Sequence, residues 1–129
     1  MNYLVLSDLI DLHDDVIATS GGLQGVRDIG VLESILVHIQ NDDYYPDFVT
    51  KLTHLVYAIN KSHAFNDGNK RTSIMAGAYF LLLNGWEAKR VAYFTVSMED
   101  IAVDIADNTI SKETLTVLMM FILSSTKAA

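Results

Sequence analysis

The amino-acid sequence predicts an all-α protein, one compact domain of about six helices around a buried central helix. Three observations point there. Apolar residues recur at three- and four-residue spacing in one stretch after another. Seven glycines and one proline are all that punctuate 129 residues, half of them hydrophobic. No internal repeat, low-complexity tract or linker divides the chain, so residues 1–129 are expected to fold as a single domain.

The first helix is expected from a cap at Ser7 or Asp8, through Leu9, Ile10, Leu12, Val16 and Ile17, to a stop before Gly21 and Gly22. Gly21, Gly22 and Gly25 permit a tight loop, after which Asp28 caps a second helix carrying Ile29, Leu32, Ile35, Leu36 and Ile39. Asn41 to Tyr45 is a polar, turn-prone connector. Pro46 suits the first turn of a third helix. In that helix Phe48, Leu52, Leu55, Val56 and Ile59 form one apolar stripe. A fourth helix from about Gly68 to Leu83 is apolar on every side, which predicts a fully enclosed position. Asn84-Gly85 ends it, and Trp86 to Phe94 reads as a loop or a short extended piece. Ser97 is placed to cap a helix with Met98, Ile101, Ala102 and Ile105, and Ser111 to cap another with Leu115, Leu118, Met119 and Ile122. The Met119-Met120-Phe121 cluster reads as core, with any exposed part a candidate to receive a partner segment.

Composition excludes several classes of function. Nine Lys plus Arg against 16 Asp plus Glu leave a net charge of -7, which disfavours direct nucleic-acid binding. The absence of cysteine excludes disulfides, thiol catalysis and thiolate metal sites. The longest apolar run, Ile74 to Leu83, is ten residues, too short to cross a bilayer. Met1 to Ile10 has no basic residue ahead of its apolar stretch, so it lacks the layout of a secretory signal, and a cytoplasmic location is expected. His13, His38 and His54 have no metal-site spacing and are read as ordinary surface or half-buried residues, with no zinc expected.

The chemistry concentrates in one segment, His63-Ala64-Phe65-Asn66-Asp67-Gly68-Asn69-Lys70-Arg71-Thr72, between the third and fourth helices. A helix N-terminus carries unpaired amides and the positive end of the macrodipole, so the backbone from about Gly68 to Arg71 is suited to an anion, above all phosphate. Gly68 permits close approach, Asn69 adds a side-chain amide, Lys70 a point charge and Arg71 a bidentate donor. Asp67 beside phosphate implies a hard cation between them, hence Mg2+ carried with a nucleotide. His63 titrates near neutrality and is placed to take a proton from an attacking hydroxyl. Phosphoryl or nucleotidyl transfer follows. Arg27 and Asp28 read as a loop-fixing pair and a cap rather than substrate contacts.

These residues resemble the signature of the Fic/Doc family, His-x-Phe-x-Asp/Glu-Gly/Ala-Asn-x-Arg, with every defining position present. The Gly21-Gly22-x-x-Gly25-x-Arg27-Asp28 stretch and the chain length are similar to its short Doc branch of toxins. The resemblance implies the Fic fold, His63 as general base, Asp67 as the Mg2+ ligand, and the segment from Asn69 to Arg71 as the anion hole for ATP phosphates. Phe65 corresponds to the family's buried anchor. Adenylylating members carry Gly where Lys70 stands and usually a second Arg where this chain has Ile74, so AMP transfer is disfavoured. The Asn-Lys-Arg-Thr run is that of the Doc branch, which implies a kinase acting on a threonine of elongation factor Tu and halting translation. Self-inhibited members carry a Ser/Thr-x-x-x-Glu-Gly/Asn helix; none is found here, which implies restraint by a separate Phd-like antitoxin. An AMP transferase and a catalytically silent nucleotide- or partner-binding module remain the alternatives.

Overall fold

The computed structural model describes residues 1–124. Six helices follow in order: α1 (Leu6–Ser20), α2 (Ile29–His38), α3 (Phe48–Ser62), α4 (Asn69–Leu83), α5 (Ala88–Ala106) and α6 (Lys112–Ser124). The described residues form no strand, only an isolated antiparallel bridge between Val26 and Phe65. The all-helical expectation holds. None of these helices is long and apolar enough to cross a membrane.

The core follows from the apolar stripes. Leu52, Leu55, Val56 and Ile59 put one face of α3 entirely out of solvent, against Phe80 and Leu81 of α4 and Phe94, Met98 and Ile105 of α5. α4 lies between α1, α3 and α5, and Gly77 sets how closely it approaches α3 and α5. A Cβ there would fall 2.8 Å from the Phe94 ring and 2.9 Å from Val56, so the glycine is needed for contact. The helix is central without being enclosed on every side: Leu82 is exposed and Met75 borders a cleft.

Helix boundaries differ from the sequence reading in three places. α1 starts at Leu6, and Asp8 is its third residue; the carboxylate reaches back to accept the Val5 amide at 2.9 Å. Pro46 precedes the cap, which is Asp47 accepting from Thr50 N at 2.9 Å. Trp86 to Phe94 is not a loop or extended piece: from Ala88 it is helical, and α5 runs unbroken to Ala106. Ser97 sits mid-helix, its hydroxyl donating to the Tyr93 carbonyl at 2.8 Å, so no chain end needs a cap there. The expected caps at Asp28 (accepting from Val31 N, 3.2 Å) and Ser111 (accepting from Thr114 N, 3.1 Å) are present. Of the Met119-Met120-Phe121 cluster only Met119 is core; the next two point outward.

Candidate functional site

The 63–71 loop is built against the glycine-rich loop after α1, and their backbones hold one another. Arg27 N and Asp28 N both donate to Ala64 O (2.7 and 3.0 Å), and Asn66 N donates to Gly25 O (3.1 Å). His63 closes α3 in the left-handed region at φ 52°, uncommon for a residue with a Cβ. Its carbonyl is gripped by Arg27, whose Nε and terminal nitrogen donate at 3.2 and 2.9 Å. The imidazole is exposed and borders a cleft of about 580 Å³.

Phe65 is 1% exposed, which bears out its expected role as the loop's anchor. Its ring stacks on His13 of α1 with centroids 4.0 Å apart and planes 8° from parallel. His13 is buried, and its Nε2–H donates to the Asp67 carbonyl at 2.8 Å. Its task is therefore to hold the loop from behind. Sequence spacing gave no sign of this, because His13 and Asp67 are 54 residues apart.

Asp67 faces outward, its Oδ1 accepting from Gly68 N at 2.9 Å and Oδ2 from Leu23 N at 3.2 Å. The amides of Leu23 and then Gly68 hold its carboxyl below the ordinary carboxylate range, so it stays ionised. Each oxygen retains a lone pair, a donor set suited to a hard cation. No three His, Asp or Glu side chains among the described residues gather to hold a metal alone, so an ion on Asp67 would draw its remaining ligands from phosphate and water. Gly22 makes room for this carboxylate: at φ 113°, a Cβ there would lie 2.7 Å from Oδ2.

The first backbone bond of α4 runs from Thr72 N to Gly68 O (2.9 Å), so the amides of Asn69, Lys70 and Arg71 have no acceptor within the helix. Lys70 and Arg71 are exposed on the same cleft. Two residues expected to touch phosphate have other work. The Gly68 amide is used on Asp67, and its φ of 73° makes the turn into α4. Asn69 clasps the loop: Oδ1 accepts from Phe65 N (3.1 Å) and Nδ2 donates to Phe65 O (3.0 Å). That clasp spends its side-chain amide on the backbone, leaving its main-chain N–H for an anion. Ile74, only 6% exposed, lines the cleft where a second cation would stand.

Imidazole, carboxylate, open amides and two cations thus share one crevice at the head of α4. A sequence model described as the Fic/DOC family matches residues 3–81. The chain belongs to the Fic/DOC family. It is 38% identical over 89 residues to a protein of Escherichia phage P1 named "Protein kinase doc", a match covering 66% of this chain and 70% of that one. It is 34% identical over 87 residues to "Toxin Doc" of Mycolicibacterium smegmatis, covering 62% and 67%. The family match spans the loop and both elements that clamp it, α1 and the glycine-rich segment, and ends in α4.

Proposed function

We propose that this Fic/DOC protein is a Doc-like toxin that transfers the γ-phosphate of Mg-ATP to a Ser or Thr hydroxyl of a protein target, and that a partner antitoxin restrains it. The observation carrying the reading is the single cleft in which His63 stands beside the open amides of Asn69 to Arg71. His63 accepts the hydroxyl proton as the hydroxyl oxygen bonds to the γ-phosphorus; the bond to the bridging oxygen breaks and ADP leaves. The amides and the cations Lys70 and Arg71 hold the phosphate oxygens in place. Asp67 is the residue that would hold Mg2+, which when bound offsets negative charge on those oxygens.

Two observations favour phosphate over AMP transfer. Lys70 projects into the cleft where adenylylating members have glycine, and the Ile74 position offers an apolar wall in place of a cation. The phage P1 relative's name supports the same choice. Elongation factor Tu is the proposed target, translation the process stopped and a Phd-like antitoxin the proposed partner; the toxin name of the mycobacterial relative supports growth inhibition. The cytoplasm is the proposed location.

Incubation of the purified chain with Mg-ATP and elongation factor Tu, followed by intact-mass analysis, is the direct test. Phosphorylation adds about 80 Da to the target. A gain of about 329 Da establishes AMP transfer instead, and an unmodified target with ATP still bound supports the silent module.

A further inference from the structure

A second concavity, of about 380 Å³, lies between α2 and α3 and is closed at one end by the start of α6. It shares no lining residue with the cleft, so what it binds does not depend on the proposed chemistry. Val31 and Ile35 from α2, four residues apart on one helix face, and Tyr57 and Ala58 from α3 give it apolar walls. Lys61 and Lys112 stand at its rim, and no Asp or Glu belongs to its lining. In a chain of net charge -7 this is an island of opposite sign.

Neither ammonium meets a carboxylate among the described residues. Lys61 Nζ donates to Ile105 O at 3.3 Å and to Asn108 Oδ1. Lys112 Nζ lies 2.9 Å from His54 Nδ1 and over the rings of Tyr45 and Tyr57. An ammonium only donates, so Nδ1 accepts from it and the neutral ring carries its proton on Nε2. Burial, then the charges of Lys112 and His38, push His54 down to about 4, so its ring is neutral at neutral pH and does not supply the groove's positive charge. Nδ1 has a second donor in reach, the Tyr45 hydroxyl at 3.0 Å. Lys112 is therefore free to turn toward a carboxylate while Tyr45 keeps the ring nitrogen satisfied.

We propose that this groove docks an acidic segment of a partner protein, which lays an apolar side chain over Ile35 and Tyr57 and sets its carboxylates on Lys61 and Lys112. Charge complementarity selects the occupant. The walls call for a hydrophobic side chain and the rim for anions, whereas the cleft at the head of α4 pairs its cations with amides suited to phosphate.

The test is fluorescence anisotropy of the full chain with a fluorescein-labelled peptide of alternating Leu and Glu. Saturable binding is expected, with Kd raised about tenfold or more by the Lys61→Glu/Lys112→Glu double variant. Ser34→Trp, at an exposed position on the groove, should block binding equally and guards against misfolding of the double variant. Unchanged binding in either folded variant overturns the proposal. So does equal competition by a Glu-only peptide, which needs no apolar wall, or displacement by inorganic phosphate at matched concentration, which marks a small-anion site. Concentration-dependent dimerisation of the chain that Ser34→Trp abolishes would assign the groove to a second copy and overturn it as well.

Discussion

On the cleft side of the 63–71 loop, His63, Asp67, Lys70 and Arg71 are exposed, whereas behind it His13, Ala64 and Phe65 are at most 1% exposed. Among the described residues the side chains of His63, Lys70 and Arg71 make no hydrogen bond, and Asp67 accepts from the Leu23 and Gly68 amides. The inward groups hold one another: a stacked imidazole and phenyl ring, a histidine on the Asp67 carbonyl, an arginine on the His63 carbonyl. The cleft-facing side chains and those that hold the loop in place are thereby different ones. Substitution on the two sides should separate activity from folding.

The largest expected effect is on the outward side. His63→Ala should lower transfer by about 10²- to 10⁴-fold, the usual loss with a general base, and abolish any growth arrest. Its stability should stay within about 0.5 kcal/mol of the parent, because an exposed ring is removed. Phe65→Ala is the mirror case, expected to cost about 3–5 kcal/mol through the cavity it leaves. Thermal melts and transfer rates measured on both variants decide it. A large stability loss in His63→Ala, or none in Phe65→Ala, would break the division of labour.

Arg27 tests the boundary between the two sides, since it is exposed yet grips the His63 carbonyl. Arg27→Lys loses the two-pronged contact and frees a residue held at positive φ. A loss of about 1.4 kcal/mol in positioning corresponds to roughly a tenfold fall in kcat, with KM for ATP unchanged. Steady-state kinetics that instead show KM rising and kcat constant would give Arg27 a role in binding the nucleotide.

This contrast also explains what the sequence could reveal. The outward groups fall within nine consecutive residues, His63 to Arg71, so their types and spacing were legible directly. The inward clamps were not: Arg27 and His13 meet the loop only through the fold, from 36 and 54 residues away. The bonds that Asn69 and Gly68 make within the loop were not legible either, because spacing alone does not show a side chain folded back onto its own backbone. Among the helices, the stripes of α3 and the caps at Asp28 and Ser111 were plain. The start of α5 was obscured by Val91, Tyr93, Phe94, Thr95 and Val96, strand-favouring types that packing against α3 and α4 carries into a helix.

The smallest effect expected concerns acid. The amides of Leu23 and Gly68 hold the Asp67 carboxyl below its ordinary value of 3.8, so between the folded and unfolded values the folded chain binds fewer protons. The stability this carboxylate contributes is therefore complete above the unfolded value and is lost as pH falls through the folded one. Exposure to solvent keeps the contribution small. Asp67→Asn cannot ionise, so its melting temperature should fall less steeply than the parent's below about pH 4, the two curves running parallel near neutrality. Parallel curves in acid as well would mean that the amides do not favour the charged form. Asp67 would then owe its place on the cleft to the His13 contact with its carbonyl rather than to bonds made by its own oxygens.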